Sequence, residues 1–98
     1  MTFEVRLRPE AERDLSEAAV WYEEQVAGLG HQFLDEVFNA LSTVGDAPHR
    51  YPVVHGNTRR MLIRKFPFGV YYQIEKSTVI VLAIMHASRD PRLWRRRG

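Results

Sequence analysis

The sequence contains no cysteine, so it can form no disulfide and offers no thiolate to a metal. It has no apolar run of about 18 residues, the length that spans a bilayer. A glycine-rich phosphate loop and a nucleophile elbow are also lacking, and none of the four histidines has metal-ligand spacing. We therefore expect a cytoplasmic protein with no membrane, metal or cofactor partner. We see no signal-peptide pattern.

What is present suits one globular domain over residues 1–98. Of the 98 residues, 45% are hydrophobic and 27% are charged, which is ordinary for a folded domain. A chain of this size can build a single core.

The charges are divided unequally along the chain. Residues 1–47 carry three arginines and ten acids, a net charge of −7. Residues 48–98 carry eleven lysines or arginines and two acids, a net charge of +9. Such segregation favours a polyanion or an acidic protein as the partner of the second half. The alternative is a solvated face that only keeps the protein in solution.

Residue periodicity predicts the order strand, helix, helix and then three strands. Thr2 to Arg8 alternates between apolar and polar residues, as in a half-buried strand. Apolar residues at helical spacing predict a helix from about Pro9 to Val26 and a second one ending near Val44, with a glycine-containing link between them. Further strands are expected at Arg59–Lys65, Val70–Glu75 and from Thr78, with a short additional strand at Val53–Val54.

These elements predict an α+β fold of β-α-α-β-β-β order, a two-layer sandwich in which an α-helical hairpin covers a three-stranded antiparallel meander and the N-terminal strand. Residues 79–86 are almost all apolar, so the last strand should be buried on both faces, with the first strand beside it near the sheet centre. Residues 93–98 form a basic tail, for which the sequence leaves both an ordered and a mobile state open. The uncovered sheet face should expose Glu4, Arg6, Arg8, Arg60, Arg64, Tyr71, Gln73 and Glu75.

The basic residues of the last strands form the candidate binding site. Cations cluster on one predicted strand and again after the last one, and Tyr71, Tyr72 or Trp94 could stack on a base. The predicted binding set is Arg59, Arg60, Arg64, Lys65, Tyr71, Arg89, Arg92 and Trp94.

His86 is a candidate for proton transfer. It follows a run of apolar residues and is close to Arg89, and an imidazole can act as a general acid or base near neutral pH. Nearby arginines could stabilise a phosphate transition state. The alternative is a strand-end histidine whose ring hydrogen-bonds a loop carbonyl. No companion carboxylate is evident, because Asp90 before a proline suits a turn.

A series of short motifs covers nearly the whole chain. They are Ala11-Glu12-Arg13-Asp14-Leu15, Trp21-Tyr22, Phe33-Leu34, Pro48 with Tyr51-Pro52, Arg59-Arg60, Phe66-Pro67-Phe68, Val70-Tyr71-Tyr72 and the ending from His86 to Trp94. In this order and spacing, the chain resembles the ParE/RelE superfamily of toxins from bacterial type II toxin–antitoxin systems.

The resemblance implies a small cytoplasmic toxin that a cognate antitoxin neutralises in a hetero-oligomer. The acidic C-terminal segment of the antitoxin would cover the helical hairpin and the basic sheet face. Within the superfamily, the ParE-like branch poisons DNA gyrase by binding it, whereas the RelE-like branch enters the ribosome and cleaves mRNA.

The ending with His86, Arg-Asp-Pro and Trp94 is more similar to the ParE-like branch, so a gyrase poison is the main hypothesis. The alternative is a ribosome-dependent mRNA endonuclease, an enzyme whose catalytic residues would be Arg60, Arg64, His86 and Arg89. A third alternative is a partner-binding member with weak or lost toxicity.

Overall fold

A five-stranded sheet and three helices make up the fold. The computed structural model describes residues 2–98. In chain order the elements are β1 (Glu4–Leu7), α1 (Pro9–Gln25), α2 (Leu29–Asp46), a short 3-10 turn (Pro48–Arg50), β2 (Val53–His55), β3 (Thr58–Leu62), β4 (Phe68–Glu75), β5 (Thr78–His86) and α3 (Arg92–Arg95). The α+β class and the strand, helical hairpin and antiparallel strands are thus confirmed. The short strand expected near Val53 forms β2, so the meander has four strands.

The strands lie in the order β1-β5-β4-β3-β2. β1 pairs with β5 in parallel, and the other neighbours are antiparallel. The expected partner of β1 is confirmed, but its expected position near the sheet centre is wrong, because β1 is an edge strand. The helical hairpin covers its apolar residues there: Val5 and Leu7 pack on the main core, and the Phe3 N–H donates to the Gly45 carbonyl.

β5 is buried on both faces, as its apolar run predicts. A bulge divides it: Tyr71 pairs with Ala83 and Tyr72 with Val81, so Leu82 is an extra residue on β5. The bulge reverses the alternation of side chains. Val79, Val81 and Ile84 pack in the core under the helices, whereas Ala83 and Met85 lie in a second cluster on the opposite face.

The strand expected to run to Lys65 ends at Leu62. Lys65 has φ of 70°, a left-handed conformation that cannot continue a strand. The turn therefore comes earlier than expected, and Phe68 and Gly69 belong to β4.

The second sheet face is covered by the C-terminal segment. α3 places Trp94 on Tyr71, with ring centroids 4.6 Å apart and planes inclined by 22°. Ala83 and Met85 complete this cluster, and Leu93 packs against it. The expected exposure of Tyr71 is wrong, because Leu93 and Trp94 bury apolar surface that the sheet would otherwise expose to water. Of the basic tail, residues up to Arg95 belong to α3. Of the other residues expected on this face, Glu4, Arg6, Arg8, Arg64 and Glu75 are exposed.

The helical hairpin depends on a tight link with two glycines. Gly28 has φ of 88°, and a Cβ on Gly30 would lie 2.5 Å from the Ala19 carbonyl oxygen. The carboxylate of Glu23 accepts hydrogen bonds from the N–H groups of Gly28 at 2.9 Å and Gly30 at 3.0 Å. These bonds satisfy amides at the start of α2 that no helical carbonyl can reach. Within residues 2–98, no helix is long and apolar enough to cross a membrane.

Tyr72 connects the core to the 3-10 turn. Its ring is fully buried, and its hydroxyl donates a hydrogen bond of 2.6 Å to the Pro48 carbonyl oxygen. Burial raises the pKa of Tyr72 to about 12.

We expect Tyr72→Phe to lower the free energy of unfolding by about 1–3 kcal/mol, because it leaves a buried carbonyl without its donor. Tyr71→Phe is the matched control and should cost less, since stacking on Trp94 holds that ring. Equal losses in urea unfolding of the two variants would contradict this role.

The Glu23 link predicts a pH dependence. Its hydrogen bond from Gly28 is the main reason that the pKa of Glu23 is lowered. The ionised carboxylate therefore stabilises the fold above the carboxyl's unfolded pKa, and this contribution disappears as the pH falls through the lowered pKa. We expect the stability difference between the unsubstituted protein and Glu23→Gln to shrink in acid, as followed by urea unfolding at several pH values. Glu24→Gln, one residue along the same helix, is the control. A Glu23→Gln difference that stays constant with pH would refute the assignment.

Candidate functional site

A cleft of about 430 Å³ lies between α1 and the end of β5. One wall is a stripe at helical spacing along α1, and the other comes from β5 and the residues after it. The first wall includes Glu10, Asp14, Glu17 and Trp21, and the second includes His86, Arg89, Leu93 and Arg97. The cleft thus brings together two residues of the predicted catalytic set, His86 and Arg89, with acidic residues of the first helix.

The floor of this cleft is an open strand edge. β1 pairs with β5 only as far as Val81, whereas β5 continues to His86. Side chains replace the missing strand. The Ile84 N–H donates to Asp14 Oδ2 at 3.1 Å, and Arg97 Nη1 donates to the Leu82 carbonyl oxygen at 3.1 Å. Buried backbone groups need such partners.

The two replacement side chains also bind each other. Arg97 Nη1 lies 2.5 Å from Asp14 Oδ2, and only 20% of the Arg97 side chain and 16% of the Asp14 side chain are exposed. Arg8 Nη1 donates to the Arg97 carbonyl oxygen at 2.5 Å. The C-terminal segment is therefore fixed to β5, to α1 and to the residue between β1 and α1.

His86 is engaged by its neighbour in the turn. Its Nδ1 accepts a hydrogen bond of 3.1 Å from the Ser88 N–H and lies 2.7 Å from Ser88 Oγ. A ring nitrogen that accepts from an amide places the proton of the neutral ring on Nε2. The structure therefore gives His86 a contact with a loop amide, where the sequence suggested a loop carbonyl. Its role in catalysis stays a prediction.

Asp90 organises the turn that leads to α3. It accepts hydrogen bonds from the Arg92 N–H at 3.0 Å and from Arg92 Nη2 at 2.6 Å. The side-chain bond from Arg92 is the main cause of the lowered pKa of Asp90, and the charges of Arg96 and Arg95 act in the same direction. Asp90 is thus the turn residue that its place before proline suggests.

The structure divides the predicted basic set between two faces of the sheet. Arg60 lies on the face that α3 covers, and its side chain passes over Gly69, where a Cβ would come within 3.1 Å of it. Arg59 is directed toward the loop before β2 and donates to the carbonyl oxygens of His49 at 3.1 Å and Tyr51 at 2.6 Å. Lys65 Nζ lies 3.6 Å from Oε2 of Glu36, a residue of α2. Arg59 and Lys65 are therefore not on one surface with Arg60.

Burial divides the set further. Tyr71 and Trp94 are 1% and 4% exposed, so neither ring can stack on a ligand unless α3 moves away. Arg64, Arg89 and Arg92 are exposed, and Arg60 is half-buried. Four of the eight predicted binding residues, all arginines, thus remain accessible, and Arg89 among them also lines the cleft beside α1. Within residues 2–98, no group of three or more histidines and acids is placed to hold a metal ion.

Two residues that organise the cleft, Asp14 and Arg97, were absent from the predicted set. Asp14 had a detectable signal: it lies between Ala11 and Ala18 at helical spacing, on the border of the apolar stripe, where an acid needs a partner. No feature of the sequence distinguishes Arg97 from Arg95 and Arg96, because the three arginines are consecutive.

Comparison with known proteins gives one family and two related folds. Residues 5–91 match the family model described as the ParE toxin of type II toxin-antitoxin systems, parDE. A chain of the chromosomal ParDE TA system from P. aeruginosa is similar in structure, with a TM-score of 0.74 and 12% identity over 87% of this chain and 96% of that one. A chain of the RelBE2 toxin-antitoxin complex from Mycobacterium tuberculosis gives a TM-score of 0.62 and 21% identity over 88% and 92%. At these identities the two structures show the fold. No curated protein matches the sequence.

The pair of Asp14 and Arg97 predicts a measurable loss of stability. Arg97→Met removes the donor to Leu82 and leaves a largely buried carboxylate without its cation, so we expect unfolding to become easier by about 1.5–3 kcal/mol. Arg96→Met removes the same charge from the adjacent exposed position and should change stability by no more than about 0.5 kcal/mol. Thermal and urea unfolding would measure both, and similar curves for the two variants would exclude a special role of Arg97.

Proposed function

Because the chain belongs to the ParE toxin family of type II toxin–antitoxin systems, we propose that it inhibits bacterial growth by binding and poisoning DNA gyrase. A cognate antitoxin neutralises it in a hetero-oligomer in the cytoplasm. The toxin acts as a binder and contributes no chemistry of its own. What it presents to its partners is a fixed surface, formed by the accessible arginines and by the apolar side chains of the helical hairpin.

The hydrogen bonding of His86 is the observation that favours a binder over a nuclease. Cleavage of RNA at a 2′-hydroxyl needs a group that is ready to take up a proton. In His86, Nδ1 already accepts the Ser88 N–H. Arg60, another member of the predicted catalytic set, is on β3, and β4 separates that strand from β5. Neighbouring strands lie about 4.8 Å apart, so this places roughly 10 Å between the two strands.

The alternative is a ribosome-dependent mRNA endonuclease of the RelE type. Two observations favour it: the fold is similar to that of a chain in the RelBE2 complex, and His86 and Arg89 line the same cleft. Apo geometry alone does not exclude a catalytic residue, because active sites can tighten on binding their substrate. The third possibility is a member with weak or lost toxicity, which would still bind the antitoxin but would no longer inhibit a target.

Two kinds of surface support an antitoxin as partner. The half of the chain from residue 48 carries a net charge of +9, which complements an acidic segment. The helical hairpin exposes large apolar side chains, with Val20 at 59%, Trp21 at 56% and Phe38 at 55%. A segment that folds on binding could bury these residues while its acids pair with arginines.

A supercoiling assay with purified gyrase and the purified full chain tests the proposal. We expect inhibition by the chain alone and recovery when the antitoxin is added. Arg60→Glu/Arg64→Glu should weaken inhibition about tenfold or more, because it reverses two charges of the accessible set. Arg6→Glu/Arg13→Glu makes the same charge change in the acidic half and should have little effect.

Full supercoiling activity at excess toxin would refute gyrase as the target. In that case, toeprinting on translating ribosomes separates the alternatives. Cuts within codons that disappear in His86→Ala would establish the endonuclease. Growth that continues normally during expression without the antitoxin would indicate a member that has lost its toxicity.

A further inference from the structure

The outer side of the C-terminal segment carries a dense group of exposed arginines. Positions 89–97 contain five arginines and one aspartate. Arg97 is directed inward to Asp14, and Leu93 and Trp94 face the sheet. The remaining four are exposed, and we refer to them as the arginine ridge: Arg89, Arg92, Arg95 and Arg96.

The ridge is held in place by its buried neighbours. Trp94 stacks on Tyr71 at 4.6 Å, and Arg97 is bound to Asp14, Leu82 and Arg8. Trp94 lies within the ridge sequence and Arg97 directly follows it, so the backbone that carries these arginines is fixed before any ligand arrives. A fixed surface loses less conformational entropy on binding than a disordered basic tail would.

The charge of residues 89–97 is almost entirely positive, and Arg89 also lines the cleft that contains Glu10 and Glu17 of α1. Asp90 is the one acid of the segment, and it is occupied by Arg92, whose side chain is still 76% exposed. Arg95 and Arg96 lie close enough to Asp90 that their charges help to lower its pKa. Arginine forms bidentate hydrogen bonds with phosphate and stays charged at any physiological pH.

We propose that the arginine ridge binds the phosphate backbone of duplex DNA. The burial of the local aromatic rings decides between this ligand and others. Single-stranded nucleic acids are held largely by bases stacking on exposed aromatic side chains, but Trp94 is 4% exposed and Tyr71 1%. Protein interfaces combine arginine anchors with buried aromatic or apolar ones, and the large apolar residues of this segment, Leu93 and Trp94, already pack against the sheet. The backbone of a duplex needs only cations at suitable spacing.

This activity goes beyond the proposed function and does not depend on it. A gyrase inhibitor could act without touching DNA, and a DNA-binding surface could exist in a member with another target. The test therefore contains no gyrase, so that its result and the outcome of the supercoiling assay can be read separately.

The experiment measures fluorescence anisotropy of a short labelled DNA duplex titrated with the full chain at several salt concentrations. We expect binding without sequence preference. The logarithm of the affinity should fall against the logarithm of salt with a slope of about −0.9 for each phosphate contacted, or about −3 to −4 for the whole ridge. Arg92→Gln/Arg95→Gln/Arg96→Gln keeps Trp94 and Arg97 and should reduce the magnitude of this slope by about 3.

Arg6→Gln/Arg13→Gln/Arg50→Gln is the control, because it removes the same total charge from exposed positions elsewhere. It should retain the slope of the unsubstituted protein. Circular dichroism and tryptophan fluorescence check that both variants keep the fold. Absence of duplex binding, equal loss in the two variants, or tighter binding of a single-stranded RNA of the same length would overturn the proposal. So would binding of an acidic peptide to the ridge by a protein that binds no DNA duplex.

Discussion

The open edge of β5 is the constraint on which the rest of the structure depends. β1 has four residues and β5 has nine, so β5 extends well beyond its parallel neighbour. Its backbone groups there still need hydrogen-bond partners. Asp14 and Arg97 supply them from opposite ends of the chain, one from the first helix and one from the last residues. Because β5 lacks a neighbouring strand here, the two side chains that bind its backbone also join the N-terminal and C-terminal parts of the fold.

That contact determines what the second face of the sheet presents. With Arg97 fixed at the strand edge, the residues just before it cross the sheet face, where Trp94 covers Tyr71. Tyr71 and Trp94 are thereby buried, whereas the arginines on either side of Trp94 in the sequence remain exposed. This side of the sheet is consequently rich in guanidinium groups, and both of these rings are buried. Such a surface is suited to recognition by charge and not to stacking on a base.

Much of this fold follows from patterns in the sequence. Alternation over Thr2 to Arg8 predicts β1, helical spacing predicts both long helices, and the apolar run from Val79 predicts a strand buried on both faces. α3 was not predictable, because four residues are too few to show a helical period. Tyr71 was placed on the correct face, but alternation along a strand does not show whether another element covers that face. The bulge at Leu82 could not be predicted, because every residue of the surrounding run is apolar and no change in alternation is visible.

The candidate site was harder to predict, for reasons that differ between residues. Arg59 and Arg60 are adjacent on a strand, so they face opposite sides of the sheet, and alternation alone separates them. Lys65 and Arg97 could be placed only once their partners, Glu36 and Asp14, were known, since each pair joins distant parts of the chain.

The arginine ridge also bears on how an antitoxin could neutralise the protein. An acidic segment that covers Arg60, Arg64 and the ridge would occupy the same guanidinium groups that a phosphate backbone needs. Two anionic ligands of one rigid cationic surface would exclude each other, so the loss of DNA binding would require no change in the protein's shape. The antitoxin would only need a higher affinity than DNA for this surface. The exposed Val20, Trp21 and Phe38 offer it apolar contacts that a DNA backbone does not use. The separation of apolar helical hairpin and basic sheet face thus gives a physical basis for preferring the antitoxin over a nucleic acid.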